Sequence, residues 1–305
     1  MPLPILDGVD ARVRAAFTFG QIVCAVNKSS GGHEALHQAI QLVGSLDTLT
    51  FIAVADARSD GSAGPGKLNE EDAVVAVEAA RAAAHADGIE ATAVIARAHD
   101  VSHAIMQAAR DAGLLVIGAH DRSPLEGTLL GSTTSRAMHT SLMPVLAARE
   151  RPELGFPGLV VVGTQGIEDR HAALVGATIA ARHGTRVVLA HAGRSDPGLR
   201  GALAEQAADV LGITGHDPVV VSVGGPPVDR LPATAGSVGA GLVVLGSHGR
   251  RGPAALAGLS ERVAHRATCS VLVLRGAENY GSEPDDHGAP DVADPDGSHP
   301  HTRSN

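Results

Sequence analysis

The residues of this chain best suited to chemistry are small ones. Gly118-Ala119-His120-Asp121 is separated by nine residues from Gly131-Ser132-Thr133-Thr134, which opens a helix-like stretch. A glycine at a strand end lets an anion approach the backbone. Gly-Ser at a helix start offers free N–H groups, a hydroxyl and the positive end of the helix dipole. Together they form a cradle for a di- or triphosphate. Read as local structure alone, the same residues are a turn and a helix cap. The first block recurs 128 residues later as Gly246-Ser247-His248-Gly249-Arg250, and Ser260-Glu261-Arg262 follows it.

The recurrence belongs to a longer repeat. Val116–Arg122 matches Val244–Arg250 at an offset of 128, whereas Arg136–His139 matches Arg262–His265 and Pro144–Arg149 matches Ser270–Arg275 at 126. The second copy is therefore two residues shorter between the blocks. Units this long indicate a duplicated domain rather than a solenoid array. The boundary falls near Glu150 to Gly158, where Pro152, Gly155, Pro157 and Gly158 cluster. We assign residues 1–150 to the first domain, 156–276 to the second and 277–305 to a tail.

Each copy alternates apolar runs with alanine-rich helical stretches. Expected strands are Ile22–Val26, Leu49–Ala55, Ala91–Ala96, Leu114–Gly118 and Val145–Ala148, then Leu159–Gly163, Arg186–His191, Val219–Val223, Leu242–Gly246 and Val271–Leu274. The runs lack polar alternation, which predicts strands buried on both faces. Between them His33–Val43, Asn69–Ala86, Val101–Ala112 and Thr133–Thr140 read as helices in the first copy, with Asp100 as an N-cap and Gly113 as a stop. This order implies two α/β domains, each a doubly wound five-stranded parallel sheet. Ligands bind such sheets at the carboxyl ends of the strands, near the switch in strand order.

Composition narrows the function. Net charge is −9 with 2% aromatics, so the chain has neither the basic excess nor the stacking platforms that nucleic acid requires. No apolar run reaches a membrane span, and Met1–Thr18 does not read as a secretory signal. Cys24 and Cys269 are read as buried thiols in a reducing, cytoplasmic setting. Ala277–Asn305 carries seven acids against Arg303 and almost no large apolar residue, the composition of a disordered acidic tail. Its His287, His299 and His301 are read as solvated rather than metal-binding.

Over Phe19–Arg149 and Gly158–Arg275 the chain resembles the universal stress proteins. The resemblance rests on that family's G-x2-G-x9-G-[ST] loop, the helix after it and a V-L-V-x-R last strand, matched most closely by Gly246–Arg250, Ser260–Arg262 and Cys269–Arg275. It implies an adenine nucleotide alpha hydrolase-like fold, with last strands Val145–Arg149 and Val271–Arg275 paired across a pseudo-two-fold axis. The chain would then be a pseudo-dimer. In ATP-binding members it implies that the loop holds ribose and phosphates while the ends of the first two strands flank the adenosine. Carried onto the first copy, this selects Asn27 in place of the family's acid, Val54 after strand two, Gly118, Gly131, Ser132, Thr133 and Thr134, with Asp121 where the second glycine belongs. In the second copy it selects Gly246 and Gly249, Gly163-Thr164 in place of the acid, and Ser260, aligned with Thr134 by anchoring on Arg262. Counting nine residues instead reaches Leu259-Ser260; anchoring puts Ala257-Gly258 at the Gly-Ser position.

The implied ligand is ATP, with Mg²⁺ able to bridge Asp121 to phosphate, and the implied role is stress response rather than turnover. The alternatives are a nucleotide-free interaction scaffold and a slow ATPase. A homodimer and an unidentified protein partner are compatible with either. Other motifs are discounted. Gly61–Lys67 fits G-x4-G-K, but Leu68 stands where the Mg²⁺ hydroxyl belongs and Pro65 removes an N–H. Ser30-Gly31-Gly32-His33 lacks the Asp-Ser of a pyrophosphatase loop. His120 and His248 are read as loop histidines, and Arg250 and Arg251 either as phosphate partners or as solvated residues.

Asp121 yields a test. Two like unit charges about 4 Å apart repel by about 4 kcal/mol at an effective dielectric near 20, less if the side chain swings away. Asp121→Gly is expected to tighten ATP binding in a calorimetric titration. Unchanged or weaker affinity counts against the repulsion.

Overall fold

The computed structural model describes residues 18–58, 67–119, 130–150, 155–194, 197–246 and 253–275. The first half runs β1 (Gln21–Ala25), α1 (Ser30–Leu42), β2 (Thr48–Ala55), α2 (Glu70–Ala86), β3 (Ala91–Arg97), α3 (Val101–Ala108), β4 (Leu114–Gly118), α4 (Ser132–Thr140) and β5 (Val145–Ala148). The second runs β6 (Leu159–Gly163), a 3₁₀ turn (Ile167–Asp169), α5 (Arg170–Arg182), β7 (Val187–Ala192), α6 (Pro197–Thr214), β8 (Val219–Val223), α7 (Pro227–Ser237), β9 (Ala240–Gly246), α8 (Pro253–Arg266) and β10 (Ser270–Leu274). The tail at 277–305 lies outside the described residues.

Local chemistry sets several of these boundaries. Asn69 caps α2 by accepting from Asp72 N, and Glu70, Glu71 and Asp72 place negative charge on its positive end. Asp100 caps α3 by accepting from His103 N, as its position predicts. The helix stops at Ala108, short of the Ala112 expected from the sequence. A Cβ at Gly113 would lie 1.6 Å from the Phe19 carbonyl oxygen, so this glycine serves a close backbone contact rather than stopping the helix, whose C-cap is Ala109.

All ten strands join one sheet in the order β3-β2-β1-β4-β5-β10-β9-β6-β7-β8. Every pairing is parallel except the antiparallel seam of β5 with β10, where Leu146 lies opposite Leu272. Alternate residues of the strands feed two cores. Ile22, Phe51, Leu114, Leu189 and Leu272 pack beneath α1, α2, α5 and α6, whereas Val23, Ile52, Leu115, Val188 and Val271 pack beneath α3, α4, α7 and α8. Cys24 and Cys269 are buried free thiols, and burial pushes the Cys24 thiol up.

Two strands depart from the expectation of burial on both faces. β3 and β8 end the sheet, and Val94, Ile95, Val219 and Val220 are exposed. Apolar runs alone do not distinguish an edge strand from a central one.

Matching arginines lock the seam. Arg149 donates to the Ala264 carbonyl at 3.0 Å, and Arg275 donates to the Met138 carbonyl at 2.5 Å. Both pairs are related by the repeat offset of 126. Each guanidinium therefore crosses the pseudo-two-fold axis to the carbonyl-rich last turns of the other copy's helix, where positive charge is favoured. Burial pulls both arginine pKa values below the usual range.

At the other end of the strands, β4 meets the start of α1. A Cβ on Gly118 would lie 2.4 Å from the carbonyl carbon and oxygen of Gly31. The glycine therefore gives room to the protein's own backbone, not only to a ligand. Two outcomes follow for chemical denaturation. Leu272→Ala, at a fully buried seam position, is expected to cost about 2–5 kcal/mol. Gly118→Ala is expected to cost about 1–3 kcal/mol through overpacking; no loss of stability would contradict the contact.

Candidate functional site

In the first half the chain runs from β1 outward to β2 and β3, then returns to β4 on the other side of β1. That reversal opens a crevice at the carboxyl ends of β2, β1 and β4. It holds about 750 Å³ of space not filled by protein atoms, part of it open to solvent. Its walls are apolar: Ile52 and Val54 from β2, Ile117 from β4, Val101 and Ile105 from α3.

One end is the start of α4. Gly131 is its N-cap and makes no side-chain cap hydrogen bond. Its own N–H donates to the Ala119 carbonyl at 2.8 Å, and its carbonyl accepts from Ser135 N at 2.8 Å. The Thr134 hydroxyl donates to the Gly118 carbonyl at 2.6 Å. The backbone N–H groups of Ser132, Thr133 and Thr134 have no acceptor among the described residues. Three such donors on the positive end of a helix form an anion site.

The other end is built from α1 and β2. Asn27 Oδ1 accepts from Ser29 N at 3.0 Å and from Ser29 Oγ at 2.7 Å, and Ser29 Oγ accepts from Gly32 N at 3.1 Å as the N-cap of α1. Asn27 thus organises the helix start with its carbonyl and keeps its NH₂ group as a donor. A Cβ on Gly32 would lie 2.1 Å from Asn27 Oδ1, so only glycine fits there. Lys67 closes the β2 end: its Nζ donates to the His99 carbonyl at 2.7 Å and lies 3.3 Å from Asp56 Oδ1. The Asp56 carboxylate is buried, with Arg58 Nε at 3.3 Å and His99 Nδ1 at 3.4 Å.

Seven of the residues selected from the sequence line this one crevice: Asn27, Val54, Gly118, Gly131, Ser132, Thr133 and Thr134. Asp121 and Gly249 lie outside the described residues, as do His120, His248, Arg250, Arg251 and the glycines of the 61–66 loop. Sequence reasoning passed over Ser29, Gly31, Gly32 and Lys67, which also line the crevice. The signal was present in two motifs rejected as incomplete phosphate loops. Each failed as a motif, yet part of each faces the same space.

The second copy differs. Strand pairing sets Ala25 beside Ile52 and Gly163 beside Ala190, and the following N–H groups of Val26 and Thr164 bond to those same partners. Gly163 and Thr164 therefore occupy the places of Ala25 and Val26, and Gln165 rather than Gly163-Thr164 is the counterpart of Asn27. Gln165 N donates to Asp169 Oδ2 at 2.5 Å. Asp169 is buried, and a Cβ on Gly246 would lie 2.5 Å from its Oδ1. A carboxylate thus abuts Gly246 where Gly31 backbone abuts Gly118. Above Gly163, Leu245 and Leu231 occupy the room of a side chain, at 2.6 and 3.1 Å from a Cβ placed there. Ser260 is buried well inside α8, which begins at Pro253. The expected helix start near Gly258 is thus helix interior, and the backbone there is committed to helical bonds.

Among the described residues, no helix is long and apolar enough to cross a membrane, and no group of three or more His, Cys, Asp or Glu residues is placed to hold a metal. No curated protein sequence matches the chain. The structure is similar to that of a universal stress protein from Archaeoglobus fulgidus, with 18% identity over 85% of this chain and 97% of that one, at a TM-score of 0.66. It is also similar to a putative universal stress protein from Pseudomonas aeruginosa, with 18% identity over 88% and 96% of the two chains and a TM-score of 0.65. At such identity these likenesses show the fold. The model of the universal stress protein family matches residues 18–149 and again 159–275. The chain belongs to the universal stress protein family, as a tandem member carrying the family's unit twice.

Proposed function

We propose that the crevice of the first copy binds an adenine nucleotide, ATP with Mg²⁺, and that the protein acts in stress response by binding rather than by turnover. The observation that carries this reading is the uncapped start of α4 facing a crevice with apolar walls. The phosphates would lie on the N–H groups of Ser132–Thr134, with the Ser132 and Thr133 hydroxyls as oxygen ligands for a phosphate-bound Mg²⁺. The base would lie between Val54, Ile52 and Ile105, where the Asn27 amide NH₂ meets an acceptor nitrogen. Lys67 supplies a cation at the β2 end.

The second copy supports a different role for itself. A buried carboxylate beside Gly246 repels phosphate, and Leu231 and Leu245 fill the space over Gly163. Uptake is therefore expected at one nucleotide per chain, in the first copy. The nucleotide-free scaffold describes the second copy better than the first, and a protein partner would read the state of the loaded half.

Two measurements test this. Calorimetric titration of the full chain with ATP and Mg²⁺ is expected to saturate at one equivalent; two equivalents would refute the blockage of the second copy. Gly131→Asp places a carboxylate where a Cβ meets nothing nearer than the Ala119 carbonyl oxygen at 3.9 Å. Aspartate is a good N-cap, so thermal stability is expected to hold or rise. The same carboxylate takes the donors meant for phosphate, and ATP affinity is expected to drop at least about tenfold, or about 1.4 kcal/mol. Unaltered affinity would mean that the helix start does not bind the ligand.

A further inference from the structure

We propose that the second copy serves the first as a clamp: His265 of α8 holds the backbone entering the anion cradle, so that ligand uptake in the first copy depends on a side chain of the second. The inference rests on the nucleotide reading of that crevice.

The starting observation is a hydrogen bond across the seam. Leu130 N–H donates to His265 Nδ1 at 3.1 Å. The next N–H, of Gly131, donates to the Ala119 carbonyl at 2.8 Å. Two bonds thus fix the two N–H groups immediately before the free donors of Ser132, Thr133 and Thr134. One is made within the first copy and the other is supplied by the second. Leu130 is buried, so loss of the imidazole acceptor strands an N–H with little access to water.

Accepting at Nδ1 requires a lone pair there, so the bonded imidazole is neutral with its proton on Nε2. Nε2 faces Glu261 Oε1 at 3.6 Å. The same carboxylate accepts from the Ser135 hydroxyl and lies 3.3 Å from His139 Nδ1. Helix α4 is therefore gripped ahead of its N-cap, in its first turn and in its last. Position 135 matches 261 and position 139 matches 265 at the repeat offset of 126. The two copies carry serine against glutamate at the first pair, so the contact has a direction.

Arg149 and Arg275 sit on the backbone carbonyls of Ala264 and Met138, and Arg266 pairs with Asp229 of α7. Removing the imidazole takes this acceptor away from Leu130 N–H. The peptide before Gly131 loses its partner, the donors behind it lose their register, and ligand affinity falls.

The test uses the full chain. In ¹⁵N-labelled ligand-free protein, the Leu130 amide is expected to exchange slowly with solvent, and to exchange faster in His265→Ala. His265→Asn offers an amide oxygen that accepts from Leu130 N–H, and there the slow exchange is expected to return. In calorimetry with ATP at constant pH, His265→Ala is expected to weaken binding by up to about tenfold, the scale of one hydrogen bond, and His265→Asn to restore it. Equal Leu130 exchange in the wild type and His265→Ala, or full affinity in His265→Ala, overturns the clamp. A slowly exchanging Leu130 amide in a wild type that takes up no ATP overturns the nucleotide reading instead, and leaves the contact between copies standing.

Discussion

The antiparallel contact of β5 with β10 is the constraint on which the rest depends. Each of these strands is apolar and would otherwise end its five-stranded sheet as an open edge, which proteins cover, charge or pair. Pairing them makes the two sheets one and brings α4 and α8 side by side on one face. The reciprocal arginines fix the axis. Each takes a buried charge to the last turns of the other copy's helix, and a buried charge held by directional bonds tolerates little sliding. The start of α4, where the crevice gathers its donors, is therefore referenced to both halves of the chain.

Duplication let the halves diverge within one frame. At the same point beneath the β4 or β9 glycine, the first copy places Gly31 backbone and the second places the Asp169 carboxylate. The first arrangement keeps α1 tight against the strand end through Ser29 and Asn27. The second satisfies the Gln165 amide internally with Asp169. A fixed carboxylate takes donors and adds a like charge, which on the proposed reading disfavours an anion there. The difference is local: the core, the seam and the arginine lock are common to both copies.

The sequence made the frame legible because its signals are collective. Repeat offsets, uninterrupted apolar runs and a cap such as Asp100 each involve several residues that agree. The candidate site was legible where a residue's role comes from its place on an element, as with Gly131 and Ser132 at a helix start. It was not legible where the role depends on what packs nearby. Gly118 accommodates Gly31, and Gly163 is covered by leucines from two other elements; neither contact has a local signature. Ser260 was misplaced because a two-residue shortening reads as a shorter loop, whereas α8 extends to Pro253 and absorbs the position. Lys67 was lost in a motif that failed on its neighbour Leu68, although reach to the crevice depends on the β2 bridge at Ala55 and Leu68 rather than on the motif.

On the proposed reading an acidic chain hosts an anion because the relevant field is local. Net charge of −9 sets solubility and long-range steering, and more than half of that charge lies in the residues after Ala277. Within the crevice the field comes from oriented N–H groups at the start of α4 and from Lys67, over apolar walls that screen poorly. Carboxylates lie close by, but Asp56 is compensated by Lys67 and Arg58, and Asp72 by Lys28. Among the described residues, these acids are paired with the only two lysines of the chain. On the proposed reading it is this arrangement, rather than any excess of basic residues, that lets the first copy hold a phosphate.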